Sequence, residues 1–332
     1  MDTSSNTFLH NLGRFIAIIL STLFVLTALA SLIVFNIERR AFNAGTYKQA
    51  LVDDNFYQKF PTLLGDLLQK NLGKNAPVFA QQLTADDWKG LVQALLPPAQ
   101  LQAMTEDALN QLFAYLNEEG GTPHISLVSF KQSLSGQAGF DAAMTIIQRQ
   151  PVCTLTQIGR ILTTFGQEIC NPPPEILNLL HPLIQTNLQA IASAIPDQVS
   201  IIKDSDPVAA QSRLQGLRNL RLLMRLSPLF PLLLLLGITV LAVRTFRDWL
   251  AWWGWPFLIT GLLGMLIGFS GAPLVRGSLE KTISQRVSVS MPQEVGEAIR
   301  SVVDATLREI LKPAGWESLF LFLAGSAMIL LA

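Results

Sequence analysis

Residues 226–243 read LSPLFPLLLLLGITVLAV without a charge, and only RTFRD separates them from a second uncharged run that ends at Val275. In water both runs would need covering along their whole length, whereas in a bilayer they need only length. A hydrocarbon core about 30 Å thick takes ~20 helical residues at about 1.5 Å each. So short a connection predicts a hairpin that re-emerges on one face. Another run, FIAIILSTLFVLTALASLIVFNI, occupies Phe15 to Ile37. It exceeds the ~7 to 15 apolar residues of a secretory signal and lacks the small-residue cleavage site, so it reads as an uncleaved anchor. A fourth run begins near Ser318 and is still apolar at Ala332. It is shorter than the ~17 residues of a span, which leads to the expectation that the natural chain continues.

Composition agrees with this pattern. Half the residues are hydrophobic and 14% are charged, against about 25% in a typical soluble domain. The 24 Lys and Arg equal the 24 Asp and Glu, which removes a whole-chain electrostatic case for nucleic acid. The expected fold class is a mainly α integral membrane protein with four transmembrane helices and a helical extramembrane domain that has room for a small β-sheet. The expected order is an N-terminal tail 1–14, helix 15–37, a large domain 38–226, helix 227–244, a hairpin 245–250, helix 251–275, a small loop and helix 276–315, and a truncated fourth helix 316–332.

Helical punctuation recurs in the large domain. LTADDWKGLVQALLPPAQ predicts a helix capped by Thr84, with Asp87 as the acidic member of a capping box and a stop at Pro97 and Pro98. PPAQLQAMTEDALNQLFAYLNEEGG predicts a second helix that ends at Gly120 and Gly121, and EILNLLHPLIQTNLQAIASAIP a third from Glu175. HISLVSF, QVSIIKD and RVSVSMP are β-branched or partly alternating patches that can pair as a sheet; the alternative is three extended loops. The apolar spacing of EILNLLHPLIQTNLQAI returns in EVGEAIRSVVDATLREI from Glu294. Either a duplicated unit or generic amphipathic periodicity accounts for it.

Charge gives conflicting orientations. Arg244 and Arg247 mark the short hairpin as cytoplasmic, while Arg276, Lys281, Arg286, Arg300, Arg308 and Lys312 argue that the other loop is. A long domain translocates largely regardless of charge. The only cysteines, Cys153 and Cys170, each lie beside proline at a spacing that suits a loop-closing disulfide; free thiols are the alternative. The expectation is an extracytoplasmic large domain in the cell membrane with both termini inside.

No catalytic or metal signature emerges. His10, His124 and His181 lack metal-ligand spacing, GxSxG, P-loop and GxGxxG patterns are absent, and no cofactor is expected. The acidic pairs sit where helix caps explain them. Transport is the rival class, yet the apolar runs carry no ionisable residue of the kind pumps place within the bilayer. Gly261, Gly264, Gly268 and Gly271 form a helix-packing face in the third run. Arg218, Arg221 and Arg225 form a stripe beside Leu217, Leu220 and Met224, which suggests a helix on a membrane surface with lipid headgroups, anionic ones included, as partners. Pairing of these arginines with acids of the fold is the alternative. Proline at 228 should end that helix near Leu226, with Ser227 capping the next.

Four spans with a large first and a small second outer loop resemble the claudin plan in outline. The Trp, Gly-Leu-Trp and paired-cysteine signature of the first claudin loop is missing, so no residue role carries over. The expected function is a multi-pass membrane protein, not an enzyme, whose outer domain binds a protein, lipid or small-molecule partner or supports a membrane complex. The second expectation is a small-solute channel or transporter component.

Overall fold

Apolar helices and short, punctuated helices segregate into two units in the computed structural model, which describes residues 3–71, 83–117, 121–163, 170–202, 207–286 and 293–332. One unit, the span unit, comprises Met1–Ala50, Asp204–Ser290 and Arg300–Ala332; the other, the helical unit, comprises Leu51–Lys203 and Met291–Ile299. Residues 38–50 and 204–226, which the sequence assigns to the large domain, therefore belong with the spans.

In the span unit, α1 (Thr3–Ala41) packs along α11 (Leu229–Ala242) and α12 (Phe246–Arg286), and against α10 (Pro207–Leu226). The last helix, α13 (Gln293–Leu331), meets α12 through small residues. Phe24, Ala28, Leu235 and Ile238 are buried between helices and are flanked by Trp252, Trp253 and Phe257. The Trp253 indole donates to the Thr239 hydroxyl at 3.0 Å. Outward-facing Leu233, Val240, Phe320 and Leu323 are each more than half exposed. A helix apolar on both its packed and its open sides fits a hydrocarbon surrounding. Four helices are long and apolar enough to cross a membrane, with candidate spans Leu12–Ala41, Leu214–Ala242, Phe246–Gly271 and Gly296–Leu331.

Helix ends and apolar boundaries do not coincide. α12 continues to Arg286 rather than stopping near Val275, and α13 runs through the expected boundary at 315 without a break, Pro313 included. α10 does end at Leu226 and α11 begins at Leu229, but Ser227 makes no cap. Pro228 occupies the N-cap position, while the Ser227 hydroxyl lies 3.2 Å from that of Ser31. The short connection before α12 holds a reciprocal cap in which Thr245 N–H and hydroxyl donate to Asp248 and Asp248 N–H donates back to the Thr245 hydroxyl.

The helical unit follows its punctuation closely. Around α2 (Ala44–Asp53) the chain passes from one unit to the other, and α3 (Phe56–Asn71) then packs on α4 (Ala85–Leu95). Thr84 caps α4 in a full capping box with Asp87, and Pro98 opens α5 (Pro98–Leu116). β1 (His124–Ser126) pairs antiparallel with β2 (Gln198–Ser200), with Ile125 opposite Val199. Residues 287–292, which hold the rest of the third β-branched patch after Arg286, and Gly120 lie outside the described residues. α6 (Val128–Ser135), α7 (Gln137–Arg149), α8 (Leu155–Thr163) and α9 (Pro174–Ala194) complete the unit. Phe140, Cys170, Leu180 and Ile184 form one buried group and Leu95, Leu134 and Ala192 another, with Leu188 packed against both. The two repeat-like helices differ in setting: α9 is separated from α11 by β2 and α10, whereas the Glu294 segment is continuous with the fourth apolar run.

The capping box also ties α4 to α7, because Arg149 donates to Asp87 at 3.3 Å. Burial opposes ionisation of Asp87, but hydrogen bonds from the Thr84 side chain and backbone and from Arg149 outweigh it, holding the carboxyl below its usual range. That contribution is present above the unfolded-state value and is lost as pH falls through the lower folded value. Thr84→Ala should therefore cost about 1 kcal/mol at neutral pH. The difference between the two melting temperatures should shrink in acid as Asp87 protonates, with the bond from the Asp87 backbone N–H to the Thr84 hydroxyl sustaining the remainder.

Candidate functional site

Glu38 follows the first apolar run near the C-terminal end of α1, where a carboxylate meets the negative end of the helix dipole. It is 4% exposed, so it needs cationic partners. Arg221 and Arg225 lie one turn apart on α10 and reach the same carboxylate oxygen, as the i, i+4 spacing permits. Arg221 donates to Glu38 Oε1 from Nε at 3.3 Å and Nη2 at 3.2 Å, and Arg225 from Nε at 2.8 Å. Arg221 is 15% exposed and its guanidinium lies 4.6 Å from the Phe42 ring centroid. Arg225 is 60% exposed. Glu38 thus accepts from two guanidiniums, and Arg39 and Arg40 are exposed in the last turn of α1.

A polar layer continues from this cluster into α13. The Asn36 amide donates to the Leu32 carbonyl at 2.9 Å and to Glu317 Oε2 at 2.7 Å. Asn36 is 2% exposed, so a buried amide and a carboxylate join α1 to α13. The Ser31 and Ser227 hydroxyls add a contact to the start of α11. Hydrogen bonds of this kind fix which helices pack together, because the alternative is a polar group facing hydrocarbon. Arg218, the third member of the stripe, also lies on α10.

The glycine face meets α13 at close range. A Cβ on Gly261 would fall 2.3 Å from the Phe322 nitrogen, on Gly264 2.2 Å from the Ser318 hydroxyl, and on Gly268 2.4 Å from Cα and N of Gly315. Gly271 differs: its nearest neighbours, Ile267 and Leu311, stand at 3.5 and 3.8 Å. Gly261 and Gly268 thus face backbone, Gly264 faces the Ser318 side chain at a distance too short for a Cβ, and Gly271 faces ordinary side-chain contacts.

In the helical unit, Cys153 and Cys170 form a disulfide. The joined segments also bond through the backbone, Cys153 N to Asn171 O at 3.0 Å and Asn171 N to Pro151 O at 2.8 Å. Cys170 packs inward with Phe140 and Leu180, while Val152 and Leu155 beside it are 75% and 89% exposed. His181 rests with its ring 3.9 Å from that of Phe140. A separate cleft of about 330 Å³ between α6 and α9 is lined by Val128, Gln132, Ser135 and Gln189 and crossed by a Lys131–Asp197 ion pair. Among the described residues, no three of His, Cys, Asp and Glu gather in metal-binding geometry.

Comparison with known protein families, curated proteins and solved structures found no match. Reading the sequence missed Glu38 and Glu317, which looked like the polar flanks of two spans. Their partners stand 183 to 187 and 281 residues away. The usable signal was weaker: one acid at the end of a span, in a chain that holds two arginines four residues apart before another span.

Proposed function

We propose that this chain is a multi-pass cell-membrane protein whose helical unit lies outside the cytoplasm and docks a partner or ligand, or supports a membrane complex. The observation that carries this reading is the Cys153–Cys170 disulfide, since such bonds persist in oxidising compartments. The bond stiffens the segment that presents Val152 and Leu155, two apolar side chains that a soluble surface has no reason to fix in place. The short connection with Arg244 and Arg247 then faces the cytoplasm, in keeping with the positive-inside rule. The polar layer that ties α1 to α10, α11 and α13 acts as the rigid membrane base.

Photocrosslinkers at positions 152 and 155 of the full-length protein in native membranes should give a discrete adduct. Leu155→Asp should abolish the adduct formed from position 152, and Val152→Asp the adduct formed from position 155, while each melting temperature stays close to wild type. The same full-length protein in liposomes should give solute flux no higher than protein-free vesicles. Robust, protein-dependent flux without an adduct would instead support a channel or transporter component.

A further inference from the structure

Glu38 does more than neutralise an arginine. It holds Arg225 by Nε, the stem side of the guanidinium, while the side chain remains 60% exposed. That geometry turns the terminal amino groups, the pair that binds a phosphate bidentately, toward the surroundings. Arg221 is the inner partner, buried against Phe42 and already matched to Glu38. Arg225 therefore presents a cationic group to the surroundings, and Arg39 and Arg40 are exposed in the last turn of α1.

The surface around that charge is apolar. Leu222, one turn before Arg225, is 56% exposed, Leu223 67% and Leu226 47%, and Leu229 and Phe230 at the start of α11 are each 53% exposed. A cation set at the junction of α10 and α11, within the candidate span Leu214–Ala242, and bordered by open leucines matches an amphiphile with an anionic head and acyl chains. A free phosphate would use the guanidinium and leave the leucines uncovered.

We propose that Arg225, presented by Glu38, binds the phosphate of an anionic phospholipid whose acyl chains lie against the exposed leucines of α10 and α11. This rests on the reading of Leu214–Ala242 as membrane-spanning. Arg225 is the contact residue and Glu38 a positioning residue.

The test is native mass spectrometry of the full-length protein in non-ionic detergent with equal amounts of phosphatidylglycerol and phosphatidylcholine of identical chains. Wild type should retain phosphatidylglycerol preferentially. Arg225→Gln should lower that preference about fivefold, the scale of one arginine at an anionic surface. Arg225→Lys should keep part of it, and Arg247→Gln, an equal charge loss beyond the other end of α11, should change it little. Excess inorganic phosphate should leave the lipid bound. Equal retention of the two lipids by wild type overturns the proposal whether or not the variants fold. So does an unchanged preference in folded Arg225→Gln, an equal fall in Arg247→Gln, or displacement by inorganic phosphate. Failure of the membrane reading would look different: the protein would enter the aqueous phase on detergent cloud-point separation.

Discussion

Gly268→Leu is expected to force α12 and α13 apart and to cost about 3 kcal/mol or more, the upper end of overpacking effects. The reason is the nature of the obstacle. A Cβ at this position would stand 2.4 Å from backbone atoms of Gly315, and a backbone cannot rotate out of the way. Gly264→Leu should be damaging as well, although its first obstacle is the Ser318 hydroxyl at 2.2 Å. Gly271→Ala supplies the internal control, because its neighbours at 3.5 and 3.8 Å are already at ordinary contact distance. Thermal unfolding in detergent should rank Gly268→Leu far below wild type and leave Gly271→Ala near it. Equal melting temperatures for wild type and Gly268→Leu, with unchanged oligomer size, would mean that the seam does not exist.

Glu38→Ala should have a comparable effect through charge rather than volume. Removing one partner of a buried ion pair costs about 3–5 kcal/mol, because the remaining charge stays in a poor solvent. The exposed Arg225 can turn to water, but Arg221, 15% exposed and beneath Phe42, keeps much of the penalty. A second change, Arg221→Met, should recover much of the loss, since a well-packed apolar pair is often as stable as a buried ionic one. A thermal double-mutant cycle checks this. Strict additivity of the two single losses would show that the residues do not act on each other.

Local signals and distant contacts were unequally legible in the sequence. The Thr84-x-x-Asp87 spacing, the Pro97–Pro98 stop and the break at Pro228 each depend on backbone chemistry within a few residues, and each marks a real helix boundary. Ser227 is instructive because its position was legible and its partner was not. A serine before proline can cap a helix, yet a hydroxyl within reach on α1 takes it instead. The end of α12 and the start of α13 were not legible from the apolar runs, for a different reason. Loss of apolarity marks where hydrocarbon could end, whereas a helix ends only where its backbone bonds do, so α12 continues into charged sequence and α13 begins well before its apolar part.

The candidate site was half visible. Arg221 and Arg225 stood out by their spacing, but a carboxylate that follows a span looks the same whether it faces water or an arginine. The Asn36–Glu317 bond illustrates the same limit: each residue alone resembles an interface residue, and only their approach joins a buried amide to a half-buried carboxylate. The glycines were legible as a face because their spacing repeats every three or four residues. Which of them touch backbone depends on the small residues opposite, Gly315 and Ser318, and on the register between the helices.

Orientation of the helical unit is the central claim, and protease and thiol labelling on intact cells test it most directly. Added protease should cut between residues 51 and 203, and Cys153 and Cys170 should resist alkylation in native membranes until a reductant is supplied. Protection of that segment in intact cells, together with two freely alkylated thiols, would contradict it.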